Sequence, residues 1–383
     1  MPKLLIVSTV PGALEGFLLP FVEYFKTQNW QVEGMAREIS SNQACVAAFD
    51  RVWDVEWSRN PLAIQNLVVA TSRIQEVVIQ GDYDLVHVHT PVAAFVTRYA
   101  LKNLPKKRSQ LIYTAHGFHF YHGGNPIKNS IFLGLEKLAG AWTDYLITIN
   151  RQDEAQAHKH RLLPSDRIYY TPGIGVDINY YHPDRVTAED VVAIKEQLGL
   201  SSTDTLLLCV AEFTPNKRHQ DQIKALKQTA RSDIHLAFAG DGDTDARLRQ
   251  LTTQLDLTRQ VHFLGFRSDI PALIKASNAT LLTSAREGLP RSVMEALCLE
   301  TPVIGTKARG TQDLLSDDCG LLVDVGDIAA LAQSMIQIAD YPEQAIAMGK
   351  RGRTKIAHYD IKHIIQSYDN IYKLALNNND WDN

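Results

Sequence analysis

Two glutamates on either side of a Gly-Leu-Pro turn carry the most specific chemistry in this chain. Glu287 and Glu295 lie eight positions apart, and Gly288-Leu289-Pro290 lies between them. The apolar run 279–283 predicts a buried strand, and the apolar spacing after Pro290 predicts a helix with proline at its first position. The free N–H groups of such a helix N-terminus suit a phosphate. We therefore expect a strand, a tight loop and a helix start, with both carboxylates directed at one ligand.

A second segment brings positive charge to a predicted strand end. The apolar run 206–211 leads into a Pro-Asn turn, and Lys217, Arg218 and His219 come directly after that turn. Lysine and arginine at a strand-to-helix junction suit a diphosphate, although a solvated turn is the alternative for this segment taken alone. Because two cations and a helix end can together meet the charge of a diphosphate, we expect no metal there.

In the first half of the chain, His116 and Gly16 follow predicted strands. His116 comes after the run 111–115 and before Gly117, a position from which its imidazole can reach a ligand. Gly16 is expected at the start of a helical pattern, where a glycine lets the backbone approach a phosphate or a sugar. The residues after the first strand lack the G-x-G-x-x-G spacing, which argues against a dinucleotide site.

Four more histidines could either bind a metal or have a structural role. His119 and His122 continue a three-residue spacing from His116, and three histidines so arranged could bind zinc. We disfavour zinc because no carboxylate or cysteine accompanies them and the glycine-rich context is not helical. His87 and His89 lie two positions apart on a predicted strand, hence on one face of it, and are expected to be structural.

The glutamate segment resembles the glutamate-x7-glutamate signature of the family-four retaining glycosyltransferases, and further local similarities to that family cover almost the whole chain. The chain is similar in particular to bacterial enzymes that extend exopolysaccharide or capsule repeat units. The resemblance implies an α/β chain with the GT-B fold, in which two Rossmann-like, doubly wound domains face each other across a cleft. In the mechanism that follows from it, the donor is a uridine diphosphate sugar and no cofactor is expected.

The resemblance implies roles for the carboxylates and for one histidine. Glu295 is expected to accept hydrogen bonds from the ribose hydroxyl groups, while Glu287 and His116 hold the transferred sugar. The predicted catalytic residues are His116, Glu287 and Lys217, and the predicted donor-binding residues are Gly16, Arg218, Arg267, Gly288, Leu289, Pro290 and Glu295.

Charge neutralisation and base binding complete the predicted site. The segment 214–219 resembles the phosphate-binding segment of the family and matches its lysine at Lys217. Glu212 replaces the arginine that many members carry, so we expect Arg218 to supply that charge. The segment 263–269 is similar to the region where the family's backbone meets the base, and Arg267 there could stack on a uracil.

Short apolar runs alternate with longer helical patterns in both halves of the chain, as in parallel α/β units. The predicted strands are 4–8, 84–89, 111–115 and 145–149 in the first half, and 206–211, 235–239, 261–264, 279–283 and 303–305 in the second. The segment 171–177 is rich in Gly and Pro and predicts a linker. We expect an acceptor domain over 1–175, a donor domain over 176–360 and a closing segment over 361–383. By resemblance, the helix of that last segment packs back on the first domain.

Composition limits the partners. The chain has 383 residues, 45% hydrophobic and 21% charged, with a formal net charge of −4, so no strong global field attracts nucleic acid. The four cysteines lack metal-ligand spacing and fit a reducing cytoplasm. No signal peptide or membrane span is expected. The basic run Lys106-Lys107-Arg108 predicts either a solvated loop or a weak peripheral grip on an anionic membrane.

The resemblance implies a retaining glycosyltransferase, and we expect it to move a hexose from a UDP-sugar, with UDP-glucose as first choice, to a saccharide acceptor. By resemblance the acceptor is linked to a lipid diphosphate at the inner membrane face. A nucleotide-sugar epimerase of the same fold and a sugar-nucleotide binding module without turnover remain open. A two-domain oxidoreductase fits the α/β pattern less well because the glycine fingerprint is missing.

Overall fold

The computed structural model describes residues 1–58, 66–102, 104, 109–121 and 124–377 of the chain. These residues form two compact units. The first unit combines Met1–Ile174 with Lys362–Asn383, and the second is Gly175–Ile361. The basic run 106–108, His122 and the polar end of the chain from residue 378 onward lie outside the described residues.

The first unit is built on a parallel seven-stranded sheet. Its strands are β1 (Lys3–Val7), β2 (Gln31–Ala36), β3 (Arg51–Asp54), β4 (Leu85–His89), β5 (Gln110–Ala115), β6 (Tyr145–Thr148) and β7 (Ile168–Tyr170). They pair in the order β3-β2-β1-β4-β5-β6-β7. Its helices are α1 (Pro11–Phe17), α2 (Leu19–Thr27), α3 (Gln43–Ala48), α4 (Thr71–Gly81), α5 (Pro91–Leu101), α6 (Pro126–Gly140) and α7 (Arg151–Lys159).

The second unit repeats this plan with six parallel strands. They are β8 (Thr205–Val210), β9 (Ile234–Ala239), β10 (Val261–Gly265), β11 (Ala279–Leu282), β12 (Val303–Thr306) and β13 (Gly320–Val323), in the order β10-β9-β8-β11-β12-β13. The helices are α8 (Ala188–Gln197), α9 (His219–Thr229), α10 (Asp245–Gln254), α11 (Ile270–Ala276), α12 (Arg291–Cys298), α13 (Arg309–Leu315), α14 (Ile328–Asp340) and α15 (Pro342–Ile356).

A last helix, α16 (Ile361–Asn377), belongs to the first unit from its second residue onward. Its aromatic face carries Tyr368 and Tyr372, both buried. Tyr372 stacks on Phe25 with ring centroids 4.9 Å apart, and Tyr368 meets Phe21 edge-on at 5.1 Å. Burying two large aromatic side chains in this way fixes the helix to α2 of the first unit.

The strand order reverses direction once in each sheet, between β1 and β4 in the first unit and between β8 and β11 in the second. In open parallel sheets, ligands bind outside the carboxyl ends of the strands at such a reversal. The loops that follow these four strands are therefore the places where chemistry is expected. The buried, largely apolar strands provide the rigid support, and all four cysteines are buried and unpaired.

Candidate active site

The two charged segments predicted from the sequence lie side by side at the strand reversal of the second unit. One follows β8 and the other follows β11, and these strands are neighbours in the sheet. The backbone N–H of Ala285 donates to the carbonyl of Asn216 at 2.8 Å, and the Asn216 side chain donates to the carbonyl of Arg286 at 2.9 Å. These bonds tie the two loops together over 70 residues of sequence.

Lys217 and Glu287 form an ion pair at the centre of this arrangement. The Lys217 ammonium lies 2.7 Å from Glu287 Oε1. The backbone carbonyl of Lys217 accepts a hydrogen bond from the Thr283 hydroxyl at 3.0 Å, which fixes the start of the lysine side chain. Both side chains are mostly buried, at 23% and 11% exposure, but they remain reachable. A ligand phosphate placed here would meet the ammonium, and a ligand hydroxyl could donate to the carboxylate.

Arg218 is placed differently from Lys217. It occupies the left-handed backbone region, at φ 54°, directly before α9. Its Nε lies 2.5 Å from Asp221 Oδ2, so part of its charge is already matched. A Cβ atom added to Gly326 would lie 3.1 Å from the guanidinium, which shows how closely the backbone passes it. Glu212, which replaces the expected arginine, is exposed on the strand-end loop.

Helix α12 begins one residue later than the sequence predicted. Pro290 is the N-cap residue, and its ψ of 119° is extended, so the helix starts at Arg291. The expectation that Pro290 is the first helical residue is therefore wrong, although its fixed φ still directs the chain into the helix. The first-turn N–H groups of α12 have no partner within the helix, as phosphate binding there would require.

Glu295 lies one turn into α12 and is 8% exposed. The Tyr181 hydroxyl donates to its Oε1 at 2.7 Å, and Arg291 Nε lies 3.0 Å from the same oxygen. Burial raises the pKa of Glu295 above its ordinary value, while Arg291 and the Tyr181 hydrogen bond act in the opposite direction. The predicted ribose-binding carboxylate is thus held in one orientation by two side chains.

Sequence reasoning missed both of these partners. Arg291 lies four residues before Glu295 on the same helix face, and this spacing predicts an ion pair. Tyr181 is 114 residues away in sequence and gave no local signal. The structure places it through Arg353, whose guanidinium donates to the carbonyls of Tyr181 at 3.2 Å and Cys298 at 2.9 Å.

Two glycines allow the loops of this site to approach each other. A Cβ atom on Gly310 would lie 2.0 Å from the carbonyl oxygen of Gly288, in the loop before α12. Gly240, at φ 147°, would place a Cβ atom 2.1 Å from the carbonyl oxygen of Ala211 at the end of β8. Any side chain at either position would push the neighbouring loop outward. The turn that contains Gly240 therefore has a structural role, since it packs directly against the loop after β8.

Arg267 belongs to another part of the sheet. It follows β10, which is the edge strand two places from β8. Its guanidinium forms an ion pair with Asp269 at 2.5 Å and donates a hydrogen bond to Gln197 Oε1 at 3.3 Å. Among the described residues, Arg267 forms no hydrogen bond or ion pair with Lys217 or Glu295. Its predicted stacking on a uracil therefore stays a prediction.

Gly16 and His116 belong to the first unit. The expectation that a helix starts at Gly16 is wrong, because Pro11 with its preset φ starts α1 earlier and Gly16 lies near the end of that helix. A Cβ atom on Gly16 would meet nothing within 4 Å, so no close backbone approach requires glycine there. The strand reversal is marked instead by Thr90, which has φ 64° and whose hydroxyl lies 2.7 Å from that of Thr9.

His116 follows β5 and is joined to a second histidine. Its Nε2 lies 3.0 Å from His89 Nδ1, at the end of the neighbouring strand β4. Burial lowers the pKa of His116 to about 4 and holds that of His89 well below 6.5. Both rings are therefore neutral near pH 7, and one proton is shared between the two nitrogens. The tautomer of His89 consequently decides whether the free nitrogen of His116 donates or accepts.

The histidines expected to be structural divide into two roles. His87 is buried between Tyr372 and Thr114, with Nδ1 2.5 Å from the tyrosine oxygen and Nε2 2.8 Å from the threonine oxygen. His89 is as deeply buried but touches His116, so it also bears on the predicted site. Alternation along a strand placed both on one face but could not reveal this contact.

Zinc finds little support in the described residues. His119 packs on Phe132 with ring centroids 5.1 Å apart, and His122 lies outside the described residues. Within residues 1–58, 66–102, 104, 109–121 and 124–377, no three His, Cys, Asp or Glu side chains form a group that could hold a metal.

A cavity of about 770 Å³ lies beyond the carboxyl ends of β2 and β3 in the first unit. Its lining contains three carboxylates and three serines besides an arginine and a tryptophan. None of the predicted site residues lines it. The hydroxyl and carboxylate groups could hydrogen-bond to a hydroxylated ligand, which distinguishes this cavity from an apolar one.

The similarity to known proteins agrees with this geometry. Residues 18–179 match the family model described as Glycosyltransferase Family 4, and residues 190–355 match that of Glycosyl transferases group 1. EpsD of Bacillus subtilis (strain 168), which is assigned to the glycosyltransferases, is 32% identical over 375 residues, covering 97% of this chain and 96% of that protein. The chain belongs to the family 4 glycosyltransferases. The family predicted from Glu287 and Glu295 is thereby confirmed.

Two further proteins extend the comparison. The UDP-Gal:alpha-D-GlcNAc-diphosphoundecaprenol alpha-1,3-galactosyltransferase of Escherichia coli is 27% identical over 285 residues, which cover 72% of this chain and 71% of that protein. The crystal structure of HepE from Anabaena in complex with UDP-glucose superposes with a TM-score of 0.81. It covers 98% of this chain and all of its own at 20% identity, which shows the fold alone. The predicted fold class, GT-B with two Rossmann-like domains, is confirmed.

Proposed function

We propose that this glycosyltransferase moves a hexose from a UDP-sugar to a lipid-diphosphate-linked saccharide during exopolysaccharide synthesis, with retention of configuration. The observation that carries the proposal is the Lys217–Glu287 ion pair at the strand reversal, beside the start of α12. It places a cation suited to a diphosphate within 2.7 Å of a carboxylate suited to a sugar hydroxyl. UDP-glucose is the first donor to test, since HepE was crystallised with it.

The donor would be held by groups of opposite charge. Lys217, Arg218 and the backbone N–H groups around Leu289 and the first turn of α12 meet the charge of the diphosphate. Glu295 accepts hydrogen bonds from the ribose hydroxyl groups, with Tyr181 fixing its orientation. Such preorganised charges stabilise a leaving anion without any reorganisation when the bond breaks.

In the transfer step, the bond between the anomeric carbon and the diphosphate oxygen breaks as positive charge grows on the sugar ring. The acceptor hydroxyl oxygen forms its bond to the same face of that carbon. Its proton passes to the departing phosphate oxygen, so no protein nucleophile is required. Glu287 and His116 orient the sugar through its hydroxyl groups, and Lys217 carries most of the charge stabilisation.

Metal independence and the cellular site are part of the proposal. Two basic side chains and a helix N-terminus can together bind a diphosphate, so the proposed site works without a divalent cation or cofactor. The E. coli relative acts on a diphosphoundecaprenol-linked sugar, which supports a lipid-linked acceptor. We place the protein in the cytoplasm, at the inner face of the membrane.

The test uses purified full-length protein and a panel of UDP-sugars. A thermal-shift screen identifies the donor, because a ligand that binds only the folded state raises the melting temperature. Release of UDP is then measured with and without a short-chain lipid-diphosphate saccharide, and the anomeric configuration of the product is determined by NMR. Lys217→Ala is compared with Lys307→Ala, which removes an exposed lysine paired with Asp324.

Each outcome decides between functions. Acceptor-dependent UDP release with a product of the donor's configuration supports the proposal. Conversion of the donor into another UDP-sugar without an acceptor identifies an epimerase, and stabilisation without turnover identifies a binding module. Loss of transfer in EDTA that added Mg²⁺ restores would refute metal independence.

A further inference from the structure

Helix α6 of the first unit carries an exposed apolar stripe. Ile127, Ile131 and Leu138 are 73%, 54% and 52% exposed. With 3.6 residues per turn, these three positions lie within about 40° of one another around the helix axis. Single exposed apolar residues are ordinary on protein surfaces, but an aligned row along about three turns of one helix is not.

The opposite face of α6 is firmly packed. Glu136 accepts two hydrogen bonds from the Arg98 guanidinium, both at 3.0 Å, and Arg98 is buried at 1% exposure. Phe132 and Leu133 pack on the main apolar core of the unit. This inner face is the one that packs against the core. The outer stripe is therefore a separate apolar surface.

Charge is arranged around the stripe on both sides. Lys128 and Lys137 lie about 80–100° to either side of it on a helix of this pitch. Neither ammonium forms an ion pair or hydrogen bond with a described residue. Glu136 is the only acidic residue of α6, and it points at Arg98. The outer side of the helix therefore combines an apolar stripe with two flanking positive charges and no negative charge.

Beyond the end of α6 lies a small aromatic group. Trp142 meets Tyr99 with ring centroids 5.9 Å apart, and the Lys102 ammonium stands 4.3 Å from the centroid of each ring. Tryptophan and tyrosine are enriched where proteins contact the headgroup region of membranes. Among helices in the described part of the chain, none has the length and apolar composition that crossing a bilayer demands.

We propose that the outer stripe of α6, Ile127, Ile131 and Leu138 with Lys128 and Lys137, docks on the surface of a bilayer that contains anionic lipids. An apolar row between basic side chains is how a helix lies in the plane of a membrane interface. A second copy of this chain fits less well, since pairing two such faces would bring their lysines together. The inference rests on the lipid-linked acceptor of the proposed function and assigns the surface that reaches it.

Vesicle flotation of the full chain tests this surface. Vesicles of phosphatidylcholine alone are compared with vesicles that also contain phosphatidylglycerol, at low and at high salt. Ile127→Ser with Ile131→Ser is expected to weaken binding to anionic vesicles about tenfold per residue. Lys128→Glu with Lys137→Glu is expected to weaken it by at least about fivefold per residue and to remove the salt dependence. Ile79→Ser, on α4 and 65% exposed in the wild type, is the matched control and should bind normally.

UDP affinity in the absence of lipid serves as the folding control, and all variants should keep it. Wild-type protein that binds neither vesicle, or double variants that bind like wild type, would overturn the inference. A stripe-dependent dimer in solution without vesicle binding would overturn it as well. Vesicle binding without sugar transfer would refute the proposed function alone, while transfer to a water-soluble acceptor without vesicle binding would refute this surface alone.

Discussion

Replacing Lys217 by alanine should separate its role in the ligand-free protein from its role toward a diphosphate. In the structure its ammonium lies 2.7 Å from Glu287 Oε1, and Glu287 is only 11% exposed. Lys217→Ala therefore leaves a largely desolvated carboxylate without its cation, and it removes a positive charge from the proposed phosphate position. The first effect lowers stability, and the second lowers affinity.

Both effects can be sized. A hydrogen bond to a charged group contributes about 1.5–3 kcal/mol, and each 1.4 kcal/mol changes an affinity tenfold. UDP should thus bind about 10- to 150-fold more weakly to Lys217→Ala, and uridine should bind as before. The unpaired Glu287 should lower the free energy of unfolding by about 1–3 kcal/mol, less any relief from water that enters the space.

Calorimetry with UDP, UMP and uridine measures the affinities, and urea denaturation measures the stability. The double variant Lys217→Ala with Glu287→Gln removes the unpaired charge, so it should regain stability while UDP affinity stays low. Lys307→Ala, whose pair with Asp324 is exposed at 44% and 70%, should change neither quantity appreciably. Unaltered UDP affinity in Lys217→Ala would show that this lysine does not meet the diphosphate.

Three further predictions concern side chains whose protonation is shifted by burial. Burial raises the pKa of Glu295, so the free-energy cost of its charge is absent at low pH and grows as pH rises through that pKa. Glu295→Gln should therefore melt at a higher temperature than wild type at neutral pH but bind uridine more weakly. Unchanged uridine affinity would exclude a ribose contact. His89→Asn keeps a hydrogen-bonding group near the position of Nδ1, so it should retain more kcat than His89→Leu at similar KM, with the ¹⁵N shifts of His116 reporting the tautomer; equal losses in both variants would argue against positioning through this bond. Burial lowers the pKa of His87 to about 3 and of His116 to about 4, against 6.5 in the unfolded chain. Their neutral forms favour folding above pH 6.5, and the free energy of unfolding should fall as pH drops from 6.5 toward 4, which urea titrations check; a flat profile over that interval would contradict their burial.

How much of the fold could be predicted depended on how local its signals are. Nine strands were visible as apolar runs, but β2, β3, β7 and β13 were not. In β2, Glu33 and Gly34 interrupt the apolar run, although Glu33 is 4% exposed. Its carboxylate accepts hydrogen bonds from Trp53 Nε1 at 2.6 Å and the Tyr83 hydroxyl at 2.5 Å. A buried charge that depends on partners 20 and 50 residues away has no signature within its own strand.

The same distinction between local and distant signals governs the site. Residue types and spacing placed Lys217, Glu287 and Arg267 each after a strand, but could not show which of those strands are neighbours. The sheet order puts β8 beside β11, so Lys217 and Glu287 meet at 2.7 Å. It puts β10 at the edge, where the Arg267 guanidinium is bound to Asp269 and Gln197. Stacking on a base at Arg267 would have to compete with that ion pair, as a diphosphate at Lys217 would with Glu287. Sheet order, which no local pattern of residues reveals, therefore decides which of the predicted groups meet.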